Sequence, residues 1–370
     1  MPNIIIVGTS DYCKDIEMSL SKRNTIVGYI EYRRYKFRRF LGAKNIVQQA
    51  NIPNDKDNVF LIAYYDDNLI LLAKKDLTSK GIEESKIVVY KEFKDTIRID
   101  TLKEFGQTSC AFDNFVFGMS HARSDILINS FLPNTFSFAS PSLDLFCHFY
   151  FLEYLIKNEN AKLLNAKKIF LEIPYYIFDY DLSRHSSFVK TKLIYFYRLN
   201  NYHNFMNTIC IKQFSLFYSL FIDRGNGAES LQKSVSKKSS SVLKNRFYHL
   251  VDMIRIRKKC DSVWKKEYES TALENKAFLK SFVNICKARG IELVVFVCPY
   301  NPIFRKSFNK TVNAKKNRFY NIINELEIKN VYDFFESIND HNLFLDHCHL
   351  NNQGASIFTD LFLNRLSGEQ

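Results

Sequence analysis

Three residues of this chain have the types and the order that nucleophilic catalysis needs. Ser120 lies in Phe117-Gly118-Met119-Ser120-His121, and Asp346 and His349 lie far downstream in Asp346-His347-Cys348-His349-Leu350. A serine hydroxyl is a poor nucleophile until a neighbouring imidazole takes its proton, and that imidazole needs its tautomer fixed by a third group. A carboxylate at i and an imidazole at i+3 fall on one side of a turn. Asp346 can therefore orient His349 while the other ring nitrogen faces a serine. Gly-x-Ser alone is common, and an isolated Asp-x-x-His is usually a solvated turn. What carries the reading is the order: an apolar stretch, then Gly and Ser, then Asp-x-x-His-Leu just ahead of a closing helical segment.

The neighbours of these residues read in two ways. His121 is either a second polar group of the site or a buttress of the helix start, and Arg123 either meets a carboxylate or phosphate of a substrate or lies exposed on the first turn. His347 is expected on the exposed side of its turn. Cys348 and Cys298 are expected as packing residues, since small thiols are commonly buried.

The elements that must position these groups alternate. Ile4–Val7 reads as a buried strand, followed by Gly8-Thr9-Ser10, a helix over Tyr12–Lys22 and a strand over Thr25–Ile30. Strand patterns recur at Val59–Ala63 and Lys86–Tyr90, with a helix over Leu69–Lys80 between them that stops at Gly81. The pattern resumes with a strand at Asp113–Phe117, a helix over Ala122–Ser130 and a strand at Lys168–Ile173. A helix over Ala272–Arg289, strands at Glu292–Val297 and Val331–Phe334, and a helix over Gly354–Leu366 complete it. Strands alternating with helices predict an α/β protein with parallel sheets covered on both faces. A serine directly after such a strand projects at the carboxyl edge of the sheet, where open α/β folds bind ligands. The stretch from about 184 to 266 breaks the alternation. It is rich in Tyr and Phe, then basic, with Lys233, Lys237, Lys238 and Lys244 set among serines, and it reads as an insertion serving as a surface excursion, a lid or a docking surface.

At 370 residues the chain suits two domains, expected over 1–100 and 110–370, with the insertion in the second. Lys and Arg number 52 against 39 Asp and Glu, a net charge of +13, so the expected partners are anionic: an acidic saccharide, a membrane surface of anionic lipid or a nucleic acid. The run Tyr32–Arg39 concentrates this charge among aromatic residues. Nucleic acid is the least supported of the three, because no RNP, zinc or helix-turn-helix pattern is present. The eight cysteines show neither the clustering nor the spacing of a zinc site or redox pair, so no metal is expected. With no basic leader and no uninterrupted apolar stretch of spanning length, the expectation is a cytoplasmic protein that can visit a membrane surface. Gly8, Thr9 and Ser10 are the candidate phosphate-facing turn of the first segment, though they lack the three-glycine fingerprint of dinucleotide sites.

From about Asp113 to the end the chain resembles the SGNH (GDSL-type) hydrolase superfamily, through Gly118-x-Ser120 and Asp346-x-x-His349-Leu350 with Gly354 following. The resemblance implies a three-layer α/β/α domain in which Ser120 is the nucleophile, His349 the general base and Asp346 the residue that orients it. Met119 stands where the family has Asp. Ser140, in Phe138-Ala139-Ser140-Pro141, stands near the position of the family's oxyanion glycine. No Asn follows the Lys168–Ile173 strand, where Tyr175 is the candidate substitute. The first segment resembles the small Rossmann-like domain found ahead of bacterial sugar acyltransferase domains, through Ile4-Ile5-Ile6-Val7-Gly8, Ile26-Val27-Gly28-Tyr29-Ile30-Glu31 and Lys80-Gly81-Ile82. Together these imply a serine esterase or O-acetyltransferase that modifies a saccharide, such as a bacterial surface-polysaccharide or capsule precursor. It would require no cofactor, with acetyl-CoA as a candidate acyl donor. The alternative is a binding or scaffolding protein of polysaccharide assembly that keeps the fold with a degraded site.

Overall fold

Apolar β-branched and aromatic runs of four to six residues, each followed by a turn and an amphipathic helix, build two separate parallel sheets. The computed structural model describes residues 2–8, 11–20, 24–32, 52, 57–96, 100–221, 264–265 and 269–368. The first sheet has the order β2-β1-β3-β4, with β1 Asn3–Val7, β2 Thr25–Ile30, β3 Asn58–Ile62 and β4 Ile87–Val89. The second has the order β6-β5-β7-β8-β9, with β5 Asn114–Phe117, β6 Thr135–Ser137, β7 Lys168–Glu172, β8 Glu292–Val297 and β9 Val331–Asp333. Every strand pairing in both sheets is parallel. The α/β class expected from the alternation is therefore the fold.

In the second unit β5 shows how the layers form. Val116 points into a cluster with Ala122, Phe170, Phe296, Phe334, Phe358 and Phe362 under the helix Asn352–Ser367. Phe115 and Phe117 point the other way, against Phe138, and Phe117 meets Phe282 of the helix Glu269–Ala288 edge-on. Alternation along one strand thus supplies both cores, as the period of two requires. The short edge strand β6 was not expected; its three residues are only partly buried, too short a run for a periodicity to register. The helix expected over Ala122–Ser130 is instead a helix Ser120–Asp125 and a separate turn at Ile128–Ser130.

The 184–266 stretch does not form an insertion confined to the second unit. Residues 186–221 cluster with residues 1–100, whereas 101–185 and the described residues from 264 onward form the other unit. The aromatic part finds its core on the first sheet: the helix Thr208–Phe221 sets Phe214 and Phe217 against Phe93, and Phe217 and Phe221 against Tyr90. The Gln213 side-chain amide donates to the carbonyls of Glu84 and Ile87, at 2.8 Å each, which satisfies backbone groups beside β4. The basic run 232–244 lies outside the described residues, as do Arg33–Arg39.

Candidate active site

The turn after β5 is shaped by crowding. A Cβ on Gly118 would lie 2.7 Å from the Cβ atoms of both Ala122 and Glu172, so only glycine lets β5, β7 and the following helix approach this closely. Met119 is extended and buried, and its N–H donates to Glu172 Oε2 at 2.7 Å. Ser120 then opens the helix Ser120–Asp125. An N–H in a helix's first turn has no intrahelical acceptor, so the Ser120 N–H remains available beside its own hydroxyl.

The partner segment is a tight loop. Leu345 N–H donates to His349 O, and Asn351 N–H to Leu343 O, at 2.8 Å each. Asp346 organises its tip, because Oδ1 accepts the N–H groups of Cys348 and His349, both at 2.9 Å. The same carboxylate meets His349 Nδ1 at 2.8 Å through Oδ2. On the far side of the ring, Nε2 lies 2.8 Å from Ser120 Oγ. Since an ionised carboxylate only accepts hydrogen bonds, the proton of the neutral ring belongs on Nδ1, and in that form Nε2 offers its lone pair to the serine. Burial alone would raise the Asp346 carboxyl, but His349 and the backbone donors hold it well below its usual range. Burial works against the charged form of His349, yet the hydrogen bonds to Asp346 and Cys348 hold the imidazole up to about 10.

One link joins the loop to the nucleophile's helix, and a second joins the residues just past that helix to the last helix, Asn352–Ser367. Leu350 N–H donates to Asp125 Oδ1 at 3.1 Å, and Leu127 N–H donates to Thr359 Oγ1 at 3.0 Å. Asp125 is fully buried and its Oδ2 has no hydrogen-bond partner; burial pushes this carboxyl up to about 7. From the turn after β8, Asn301 adds a bond from its N–H to His347 O and another from its side-chain amide to Asp346 O, at 3.2 Å each. Gly354, at the start of the last helix, faces Leu343 O so closely that any side chain would collide with it.

Ser120, His349 and Asp346, predicted together, are brought together in one hydrogen-bonded line. The other expected site residues fall elsewhere or take different roles. The Ser140 N–H donates to Gly118 O at 3.0 Å, a bond that braces the turn and takes up the donor expected from the SGNH resemblance to serve an oxyanion. Tyr175 is no oxyanion donor: its hydroxyl donates to Asp333 Oδ2 at 2.6 Å and its ring lies against Phe319 and Phe335. Arg123 is exposed. His121 is buried, with its ring stacked on that of His349 at 5.2 Å, Nδ1 3.2 Å from Glu172 Oε1 and Nε2 3.4 Å from the Tyr300 hydroxyl. Burial disfavours its charged form, but Cys348 and Glu172 hold it well above the ordinary imidazole range.

His347 was expected to be exposed and is instead buried, its Nε2 3.4 Å from the Cys348 sulfur. Its carbonyl accepts the Asn301 N–H and its ring lies against Phe304, 5.6 Å between centroids, which hold it inward. Cys298 is fully buried, as a packing residue should be. Gly8 has φ of +108°, and the space where its Cβ would stand is taken by the Tyr64 ring, 2.8 Å away; Thr9 and Ser10 lie outside the described residues. Glu172 escaped the sequence reading, although an acid inside Ile169-Phe170-Leu171-Glu172-Ile173 is a legible signal. A buried charge must be paired, and this one is wholly buried.

An uncharacterised family matches residues 243–369, which is less than half of the chain. No curated protein matches. Among the described residues no helix is long and apolar enough to cross a membrane.

Proposed function

We propose that this protein is an SGNH-type serine esterase or O-acyltransferase acting on a saccharide through an acyl-serine intermediate. The observation that carries this reading is the line from Ser120 Oγ to His349 Nε2 to Asp346, at 2.8 Å for each step, at the carboxyl edge of a parallel sheet. His349 takes the Oγ proton as Oγ attacks the donor's carbonyl carbon, and the ionised Asp346 stabilises the imidazolium that forms. The same proton then passes to the leaving group. In the second half of the reaction water or a sugar hydroxyl, deprotonated by His349 in turn, attacks the acyl carbon, and the bond to Ser120 breaks as His349 returns the proton to Oγ. The Ser120 N–H serves the oxyanion. Where a second donor is lacking, the cost is on the order of a hundredfold or more in rate. The excess of basic residues suits an anionic saccharide, nucleotide-sugar or acetyl-CoA, and a cytoplasmic place beside a membrane where surface polysaccharide is assembled.

A second reading, a saccharide-binding or scaffolding protein with a silent site, draws on the engaged Ser140 N–H and on Glu172 ending β7 just before the position where the family has Asn. Labelling with a fluorophosphonate separates the two. The enzyme gives a covalent mass increase that is absent from Ser120→Ala and is suppressed by a competent acyl donor such as acetyl-CoA or an aryl acetate. Folded protein that takes no label belongs to the binding reading.

A further inference from the structure

Cys348 takes no part in the proton path from Ser120 to Asp346, yet three imidazoles surround it. Its sulfur is buried, 3.4 Å from His347 Nε2 and 3.6 Å from His349 Nδ1. One donor atom each from His121, Cys348 and His349 lie within 4.8 Å of one another. In a tetrahedral zinc site, with sulfur at about 2.3 Å and nitrogen at about 2.1 Å from the metal, neighbouring sulfur and nitrogen ligands stand about 3.6 Å apart. The Cys348–His349 separation of 3.6 Å matches this edge, and that to His347, at 3.4 Å, is close to it. Thiolate with imidazole is a donor set for zinc and similar soft or borderline cations, not for magnesium or calcium. Glu172 holds Nδ1 of His121 at 3.2 Å, the carboxylate support typical of ligating histidines, so the nitrogen that would turn to a metal is Nε2, in exchange for its long 3.4 Å contact with the Tyr300 hydroxyl.

We propose that His121, Cys348 and His349 bind one zinc-like divalent cation, with His347 Nε2 and the Asp346 carboxylate as further donors beside it, and that its binding switches the triad off. The thiol proton leaves to solvent as the sulfur–metal bond forms. Ligation uses the lone pair of His349 Nδ1 and breaks its hydrogen bond to Asp346, so the ring's remaining proton moves from Nδ1 to Nε2 and the carboxylate is left facing the metal-bound edge of the ring. That nitrogen then donates to Ser120 Oγ instead of accepting its proton, the wrong tautomer for a general base. The loss of activity rests on the proposed acyl chemistry; the metal site does not.

The test uses the full-length, metal-free protein with Co2+ as a spectroscopic probe. One equivalent is expected to produce a thiolate-to-cobalt charge-transfer band that Zn2+ abolishes by displacement. Ser120→Ala should show the same band, and Cys348→Ser should lose it. His121→Gln should weaken Zn2+ binding at least about tenfold, the loss seen even for outer-shell partners. Zn2+ should also suppress fluorophosphonate labelling of the wild-type protein, and a chelator should restore it. A wild-type protein with no charge-transfer band overturns the proposal, as does a band that persists in Cys348→Ser. If Cys348→Ser does not fold, unchanged Zn2+ affinity in His121→Gln overturns it. A protein that never labels, with or without chelator, but shows the cobalt band refutes the acyl chemistry and leaves the metal site standing.

Discussion

The two sheets of this protein are built alike and end differently. In each, an inner strand runs into a glycine at the carboxyl edge, Gly8 after β1 and Gly118 after β5. At Gly8 the room left by the missing side chain is filled by the ring of Tyr64. The Tyr64 hydroxyl donates to Glu31 at 2.6 Å and accepts the Tyr32 N–H at 2.7 Å. The edge of that sheet beside Gly8 is closed with the unit's own residues. At Gly118 the missing side chain instead lets β7 and a helix close in, and the chain that emerges carries a half-buried serine hydroxyl facing His349. A glycine at a strand end is thus a statement about space. What fills that space, protein or chemistry, is settled by residues that arrive from elsewhere in the chain.

Substitutions can break this contrast, beginning with the largest effect. Ser120→Ala should lower kcat by on the order of 10^6-fold, the scale on which losing a triad nucleophile acts, and should abolish fluorophosphonate labelling. Asp346→Asn should lower kcat by about 10^4-fold, because an amide facing Nδ1 permits the wrong ring tautomer. Intact folding by circular dichroism would assign that loss to the tautomer. Glu172→Ala removes one partner of a buried pair and the acceptor of the Met119 N–H. It should cost about 3–5 kcal/mol of stability, read from denaturant unfolding, and its labelling should fall because the turn presenting Ser120 loses its brace.

The pH dependence follows from the sign of the shift at His349. Only the neutral ring accepts a proton, so kcat/KM of the metal-free protein should fall as pH drops through the pKa of His349, held up to about 10. The midpoint of that limb should therefore lie above the ordinary imidazole value. Cys348→Ala removes one of the groups that hold the ring up, so its midpoint should move down, towards lower pH. The smallest effect belongs to the first sheet: Tyr64→Phe removes one hydroxyl bonded to Glu31 and to the Tyr32 N–H, and should cost about 1 kcal/mol while Ser120 labelling stays unchanged. A fall in labelling there would dissolve the distinction between the two edges.

Much of this is legible in the sequence. Strand β8 was read to the residue, since Glu292–Val297 is an apolar run bounded by Gly290 and Pro299. The short β6 was not, and neither was the destination of Thr208–Phe221, whose apolar face announces burial without naming the surface it covers. Ser120, Asp346 and His349 were legible because each sits at a strand end or turn with a recognisable local spacing. Ser140 and Tyr175 were misread for a physical reason: sequence places a residue after a strand but does not say which acceptor its N–H or hydroxyl meets first. Gly118 O and Asp333 Oδ2 reach them.

By itself, the sequence determined the alternation of strands and helices, the glycine and serine after β5, and the i, i+3 spacing that lets Asp346 cap its own turn and hold His349. These are local matters of periodicity and turn chemistry. Only the tertiary structure decided that His349 reaches Ser120, that Glu172 supports both Met119 and His121, and that Cys348 lies among imidazoles drawn from two distant segments. Those contacts join residues far apart in the chain, and their distances follow from how the strands pair and how the helices close over the sheet.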